Sequence, residues 1–424
     1  MVTTTTIKRG YKQTELGIIP DDWQIVKLGK IADITKLAGF EYTNYFNSYR
    51  DGGEIIVVRG TNITHNKMDL TDIRTIPRST SNFLSRSKLS KHDLVFAYVG
   101  TIGPVFLIDK DDAYHLGPNT AKITAQNNLY PEFLFTYFNS RFIENEIVEH
   151  TSVGAQPSLS MTKIRKFRII LPPTRSEQTA IATALSDTDA LIEGLEKLIA
   201  KKKAVKQGAM QQLLTGKKRL PGFSGKWEEI ILKKMIQIPV TDGPHLTPQF
   251  LQNGVPFLSV NNLNNNKIDY SDLRYISRKD HEEFSKKCKP QKNDILLGKA
   301  ASVGLVALVE TDFEFNIWSP IALIRLNNEY IPKFIYYSFQ TKATINQIKL
   351  LTNSSSQGNI GMGDIEKLNF LVPFREEQAA IAIIFSDMDT EIESLEKKRD
   401  KCVMIKQGMM QQLLTGKIRI YANN

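Results

Sequence analysis

Residues 177–219 read EQTAIATALSDTDALIEGLEKLIAKKKAVKQGAMQQLLTGKKR, and residues 377–419 read EQAAIAIIFSDMDTEIESLEKKRDKCVMIKQGMMQQLLTGKIR. The stretches stand 200 residues apart and share about 26 of 43 positions. Self-similarity of that length is the strongest architectural signal a single sequence carries. Two copies without a third argue against a stacked solenoid and fit two halves related by a pseudo-two-fold axis. Ile181, Leu185, Thr188, Ile192, Leu195 and Ile199 fall at alternating spacings of four and three, as do Ile381, Phe385, Met388, Ile392 and Leu395. That is a heptad seam. The stretch from Ser176 to Leu214 contains no proline, and Gly216 follows as a stop. A helix of roughly 39 residues rises about 58 Å. The simplest way to bury both stripes is an antiparallel pair within the chain; the alternative is that each helix packs on its own globular domain. Beyond the lysines at 201–203 a second stripe begins, with Val205, Met210, Leu213 and Leu214 answered by Ile405, Met410, Leu413 and Leu414. Such a stripe is commonly core. Its near-identity, KQGAMQQLLTGK against KQGMMQQLLTGK, also fits a docking surface used twice. Met210, Leu213, Leu214, Met410, Leu413 and Leu414 are therefore the candidate partner-docking residues.

The repeat continues outside this block, more weakly. EIIVVRGTNI (54–63) answers GVPFLSVNNL (254–263), MDLTDIRTI (68–76) answers IDYSDLRYI (268–276), and LSKHDLVFAYVGTIG (89–103) answers PQKNDILLGKAASVG (290–304). RIILPPTRSEQ (168–178) answers NFLVPFREEQ (369–378), and Trp23 and Trp227 introduce the two halves. Each half thus has a variable part of about 150 residues and a near-constant part of about 45. The variable parts alternate short β-branched runs, such as Ile55–Val58 and Ile321–Ile324, with helical stretches at Pro131–Phe142 and Pro332–Gln340. The expected fold class is α/β (α+β), with two globular domains joined by two long antiparallel helices. The expected boundaries are a first domain at 1–172, a first helix at 173–216, a second domain at 217–373 and a second helix at 374–424. Pro172, Pro173 and Pro373 mark the junctions.

The chain has 424 residues, 41% of them hydrophobic, and a formal net charge of +10. It is long enough for two packed cores, and the excess of Lys and Arg favours a polyanionic partner. The opening MVTTTTIKRGYK lacks the apolar core of a secretory leader. The longest apolar run, Leu94–Ile108, is roughly 15 residues and holds Gly100, Gly103 and Pro104, whereas a bilayer span needs about 18. It reads as two strands and a turn. Only Cys288 and Cys402 occur, at non-equivalent places, so neither a disulfide framework nor a zinc cluster is expected, in keeping with a reducing cytoplasm.

Catalytic patterns are wanting. Gly216-Lys217 and Gly298-Lys299 lack the rest of a phosphate loop. Leu171-Pro172-Pro173-Thr174 has the prolines of an amino-methyltransferase tetrapeptide without its acid, amide or aromatic. Glu396-Lys397-Lys398 has a nuclease-like spacing but lies in the heptad helix, where i,i+4 pairing accounts for it. The six histidines show no ligand spacing, and there is no G-x-S-x-G elbow. A binding role is favoured over an enzymatic one.

Polar residues gather instead at loop positions that match between the halves. Arg59, Thr61 and Asn62 answer Ser259, Asn261 and Asn262; Tyr98 and Thr101 answer the region of Lys299 and Ser302. Gln156 and Gln357 sit in the polar stretches 151–158 and 352–359. Arg and Asn can bond base edges bidentately in a major groove. Equivalent positions with different side chains are what two copies of one scaffold need in order to read two different sequences. These twelve residues are the DNA-contact candidates; for any one of them an ordinary solvated loop is the competing account.

The opening tryptophan, the G-T-I-G hairpin, the L-P-P-x-x-x-E-Q junction and the twice-occurring K-Q-G-x-M-Q-Q-L-L-T-G-K together resemble the specificity subunit of type I restriction–modification systems. The resemblance spans essentially the whole chain. It departs from the pattern at the lone Pro373 and at Trp227, which lacks the P-x-x-W spacing. The resemblance implies that each variable part is a target-recognition domain reading one half of a bipartite site in double-stranded DNA, and that the helices form a coiled coil setting the gap. It implies that the repeated blocks dock two modification subunits, joined by restriction subunits, in the cytoplasm and away from any membrane. S-adenosylmethionine, ATP and Mg are implied on those partners and no cofactor on this chain. Two rivals remain at this stage: a fused enzyme with divergent motifs, and a two-domain coiled-coil scaffold for a non-DNA ligand.

Overall fold

The computed structural model of the chain describes residues 7–46, 52–64, 67–126, 128–151, 157–352 and 358–421. It divides into two compact units, residues 1–195 with 398–424, and residues 196–397. The division falls inside two 39-residue helices, Arg175–Leu213 and Arg375–Leu413. The units are thus not the four consecutive segments read from the sequence, because each takes the start of one long helix and the end of the other.

In the first unit a four-stranded antiparallel sheet runs in the order Val105–Leu107, Leu94–Ala97, Thr120–Ala125, Ala32–Lys36. Leu94–Ala97 is buried throughout, which is why its sequence is a continuous apolar run rather than an alternating one. A three-stranded sheet places Ile55–Val58 between Tyr114–Leu116, parallel, and Arg74–Ile76, antiparallel. The second unit repeats both. Its four-stranded order is Thr241–Asp242, Ile321–Ile324, Ile295–Gly298, Val306–Leu308. Its three strands are Arg274–Ile276, Val255–Leu258 and Asn316–Ile317. The expected helical stretches are each followed by a second helix: Pro131–Phe138 by Arg141–His150, and Pro332–Phe339 by Lys342–Leu351.

The start of the first long helix enters the core of the first unit, where Ile181, Ala182 and Leu185 pack with Phe133, Tyr137, Leu413 and Leu414. Ile381, Ala382 and Phe385 do the same in the second unit, with Phe334, Tyr337, Met210, Leu213 and Leu214. Both accounts of the stripe therefore hold at once: each helix start packs on a domain and against the end of the other helix. The helix segments run antiparallel within each unit, in matching register. Lys406 Nζ lies 2.6 Å from Asp189 Oδ1, and Lys206 Nζ lies 2.5 Å from Asp389 Oδ1. Glu396 pairs with Lys203 at 2.6 Å across the helices.

The junction motif is a lock. Buried Gln178 accepts from Tyr130 N at 2.8 Å and donates to the carbonyls of Asn128 and Pro172; Gln378 accepts from Ile331 N and donates to Pro373 O. Glu177 takes both Nε and Nη2 of Arg419, and Glu377 both Nε and Nη2 of Arg219. The start of one repeat block is thereby clasped by the end of the other. Just before each arginine the chain turns back on the helix end, with Lys218 N bonded to Gln212 O and Ile418 N to Gln412 O. The glycine in that turn is obligatory twice over. Gly416 has φ 67°, and a Cβ there would sit 2.5 Å from Pro20 Cγ.

Candidate nucleic-acid interface

Three loops converge at one end of each unit's sheets. In the first, strand Ile55–Val58 runs into the turn Gly60–Asn62, and a Cβ on Gly60 would stand 3.7 Å from Ala97 Cβ, where the hairpin 98–103 begins. That hairpin meets the polar segment after helix Arg141–His150: Gly100 N donates to Pro157 O at 3.1 Å, and Leu159 N to Tyr98 O at 3.0 Å. A fourth loop, which sequence reasoning missed, completes the cluster. Gly117 N donates to Val58 O and Tyr98 N to Asn119 O. The second unit repeats three of these four contacts. Trp318 N donates to Leu258 O, Lys299 N to Pro320 O, and Ile360 N to Lys299 O. The matching positions named from sequence are thus brought together, except Gln156 and Gln357, which lie outside the described residues.

Within the cluster the candidates divide. Thr61, Thr101 and Asn261 are exposed, and Ser259, Tyr98 and Ser302 half-buried. Burial pushes the Tyr98 phenol above its ordinary range, so it is neutral at any working pH. Asn62 and Asn262 are corrected from base readers to struts. Asn62 is 2% exposed. Its Oδ1 accepts from Arg59 N and Nε, and its Nδ2 donates to the carbonyls of Asp69 and Asp72. Asn262 repeats this with Ser259, Asp269 and Asp272. An amide that has spent its donors and acceptor inside the fold has none for a base edge. The signal was available, since these asparagines are the same residue in both halves. Arg59 is partly committed too: its Nη2 bonds both the carboxylate and the carbonyl of Asp72.

Lys299, at the position of Tyr98, turns inward to Asp242 Oδ2 at 3.2 Å. Asp242 is fully buried. Burial alone would raise its pKa, but Lys287 and Lys299 outweigh that and hold the carboxyl below its usual range. The distances to Lys299 and to His245 are ion-pair distances, while Oδ2 has no well-aligned hydrogen bond.

The docking candidates are corrected as well. Met210, Leu213 and Leu214 belong to the core of the second unit and Leu413 and Leu414 to that of the first, with Met410 packed against it. The stripe is core because it faces the strands and helices of the unit it closes. The exposed face of the same block carries Gln207, Gly208 and Gln211, and Gln407, Gly408 and Gln411. A Cβ on either glycine would meet nothing within 4 Å. Among the described residues no group of acidic, histidine or cysteine side chains could hold a metal ion, and no helix is long and apolar enough to cross a membrane.

The sequence profile of the type I restriction modification DNA specificity domain matches residues 20–205 and again 225–402. The chain belongs to that family. It is 26% identical over 441 aligned positions to a putative type I restriction enzyme MjaX specificity subunit of Methanocaldococcus jannaschii, covering 97% of both chains. It is 22% identical to the type I restriction enzyme EcoBI specificity subunit of Escherichia coli, over 95% of this chain and 86% of that one. Its fold is similar to that of a type I restriction–modification S subunit from M. genitalium, with a TM-score of 0.61, 16% identity and 92% of this chain covered.

Proposed function

We propose that this specificity subunit reads a bipartite site in double-stranded DNA, one half per unit, on behalf of partner subunits that carry the chemistry. The observation that carries the reading is the duplicated loop cluster. The same frame, down to the Asn62 and Asn262 struts, presents Thr61, Tyr98 and Thr101 in one unit and Asn261 and Ser302 in the other, where Lys299 at the position of Tyr98 turns inward. Identical supports with unlike side chains are what two different half-sites require. Two modification subunits that bind S-adenosylmethionine dock on the exposed faces around Gly208 and Gly408, the paired helices set the gap, and restriction subunits with ATP and Mg join the assembly in the cytoplasm. Family membership makes this chain the recognition component of its system and not the catalyst. The test is to express it with its modification subunit in a host free of other adenine methylation and to map N6-methyladenine by single-molecule sequencing. A two-part motif with a fixed gap is expected. Methylation that is absent, or unchanged when this chain is omitted, refutes the reading.

A further inference from the structure

Arg86 and Lys287 occupy equivalent positions, three residues before the matched segments that start at 89 and 290. Each is a half-exposed cation, with side chains 52% and 51% accessible, and each is held by a buried carboxylate at the loop end of its unit. Arg86 Nη2 lies 3.0 Å from Glu41 Oε2 and donates to Lys36 O at 3.2 Å. Lys287 Nζ lies 2.5 Å from Asp242 Oδ1 and 3.4 Å from Gly243 O. The carboxylates are not equivalent. Glu41 comes from the helix Gly39–Tyr45 and Asp242 from the end of the strand Thr241–Asp242. The two units have reached one ion pair by different routes, which is unexpected if the cation is only a local staple.

The place is specific. Ser87 O, next to Arg86, accepts from Leu116 N, and the following Gly117 N donates to Val58 O, the residue before Arg59. In the second unit Asp242 joins Lys287 directly to Lys299 of the candidate loop. A carboxylate that fixes a cation's base while half of its side chain stays in solvent suits a contact that must be positioned before the partner arrives.

We propose that Arg86 and Lys287 are the paired backbone anchors of this protein, each meeting a DNA phosphate beside one half-site and fixing the register of its unit without reading bases. The proposal rests on the functional reading above. The cation contributes charge at a fixed place, so its removal weakens binding alike for every sequence.

The experiment uses the full complex with the modification subunit and a duplex carrying the mapped site, with affinity measured from 50 to 200 mM salt. Arg86→Met or Lys287→Met is expected to weaken binding about five- to tenfold at 0.1 M salt and to make the slope of log K against log salt shallower by about 1. The methylated motif stays unchanged, and Arg86→Lys and Lys287→Arg keep the slope. If a stranded carboxylate unfolds a single variant, the pairs Arg86→Met/Glu41→Gln and Lys287→Met/Asp242→Asn remove it and carry the same expectation. A lowered melting temperature with unchanged affinity and slope overturns the proposal in favour of a staple, and a changed motif overturns it in favour of base reading. A wild-type complex without sequence-specific binding overturns the functional reading and this proposal together; wild-type binding with unaltered variants overturns this proposal alone.

Discussion

Arg419→Met should unfasten the first unit. Glu177 is wholly buried, and both its oxygens are taken by Arg419, at 2.8 and 2.9 Å. Removing the arginine leaves a buried carboxylate without a counter-charge, a class of lesion that costs about 3–5 kcal/mol. Arg419 is itself a quarter exposed, so water reaches the site in the variant and the lower end applies, about 3 kcal/mol. The lost contact to half-exposed Asp22, 2.9 Å away, adds at most about 0.5 kcal/mol. For a unit of roughly 220 residues this lowers the melting temperature by about 6–12 °C. Glu177→Gln should cost about 1.5 kcal/mol, because it strands a cation that water can partly solvate. The double variant should cost about 2 kcal/mol, well short of the sum, a coupling of about 2–3 kcal/mol. Scanning calorimetry gives the magnitudes, and hydrogen exchange by mass spectrometry locates them, with lost protection expected in 175–195 and 409–421. A loss below about 1 kcal/mol, or strict additivity of the two substitutions, refutes the argument that the clasp closes this unit.

Three further outcomes follow from the same contacts. His115 is fully buried between the hydroxyls of Ser81 and Ser87, and burial pulls its pKa down to about 4; between that value and its ordinary 6.5 the unfolded chain binds more protons, so stability is complete above about pH 6.5 and up to about 3 kcal/mol is lost as pH falls to 4. Urea titrations at several pH values should show a reduced slope in His115→Asn, which removes the buried imidazole; an unchanged slope removes His115 from the account. Asn62→Ala should cost about 1–3 kcal/mol by taking the acceptor from Arg59 N and the side-chain donor from the Asp69 carbonyl, while exposed Thr61→Ala leaves the melting temperature within about 1 °C; equal effects sink the distinction between strut and reader. Gly408→Leu, at an exposed helical position with open space, should stabilise the isolated chain by about 0.5–1 kcal/mol and prevent co-purification of a modification subunit, whose unimpaired binding refutes the docking face.

The frame was readable because it is periodic. The heptads ending at Ile199, the missing prolines and the stop at Gly216 foretold helices that run over Arg175–Leu213 and Arg375–Leu413. The loop positions were readable because duplication aligns them. What stayed hidden depends on contacts between residues far apart in the chain. A stripe such as Met210, Leu213 and Leu214 looks the same whether it faces a partner or its own core, and only the strands and helices packed on it decide. Asn62 was mistaken for a reader because the residue type that bonds an adenine edge also braces a turn. Asp242 was missed because its counterpart, Glu41, arises from a different element and shares no alignment with it.

The clasp also orders the birth of the molecule. The second unit is one uninterrupted stretch, 196–397, and all of it has been synthesised before residue 398 is added. The first unit starts earlier in the chain, with residues 1–195, yet also needs 398–424. Domains tend to fold as units while the chain emerges, so here the amino-terminal half, with the core faces of Ile181 and Leu185 uncovered, waits on the ribosome for Leu413, Leu414 and Arg419. A message cut short at codon 398 would therefore spare the unit of 196–397 and spoil the one that starts before it.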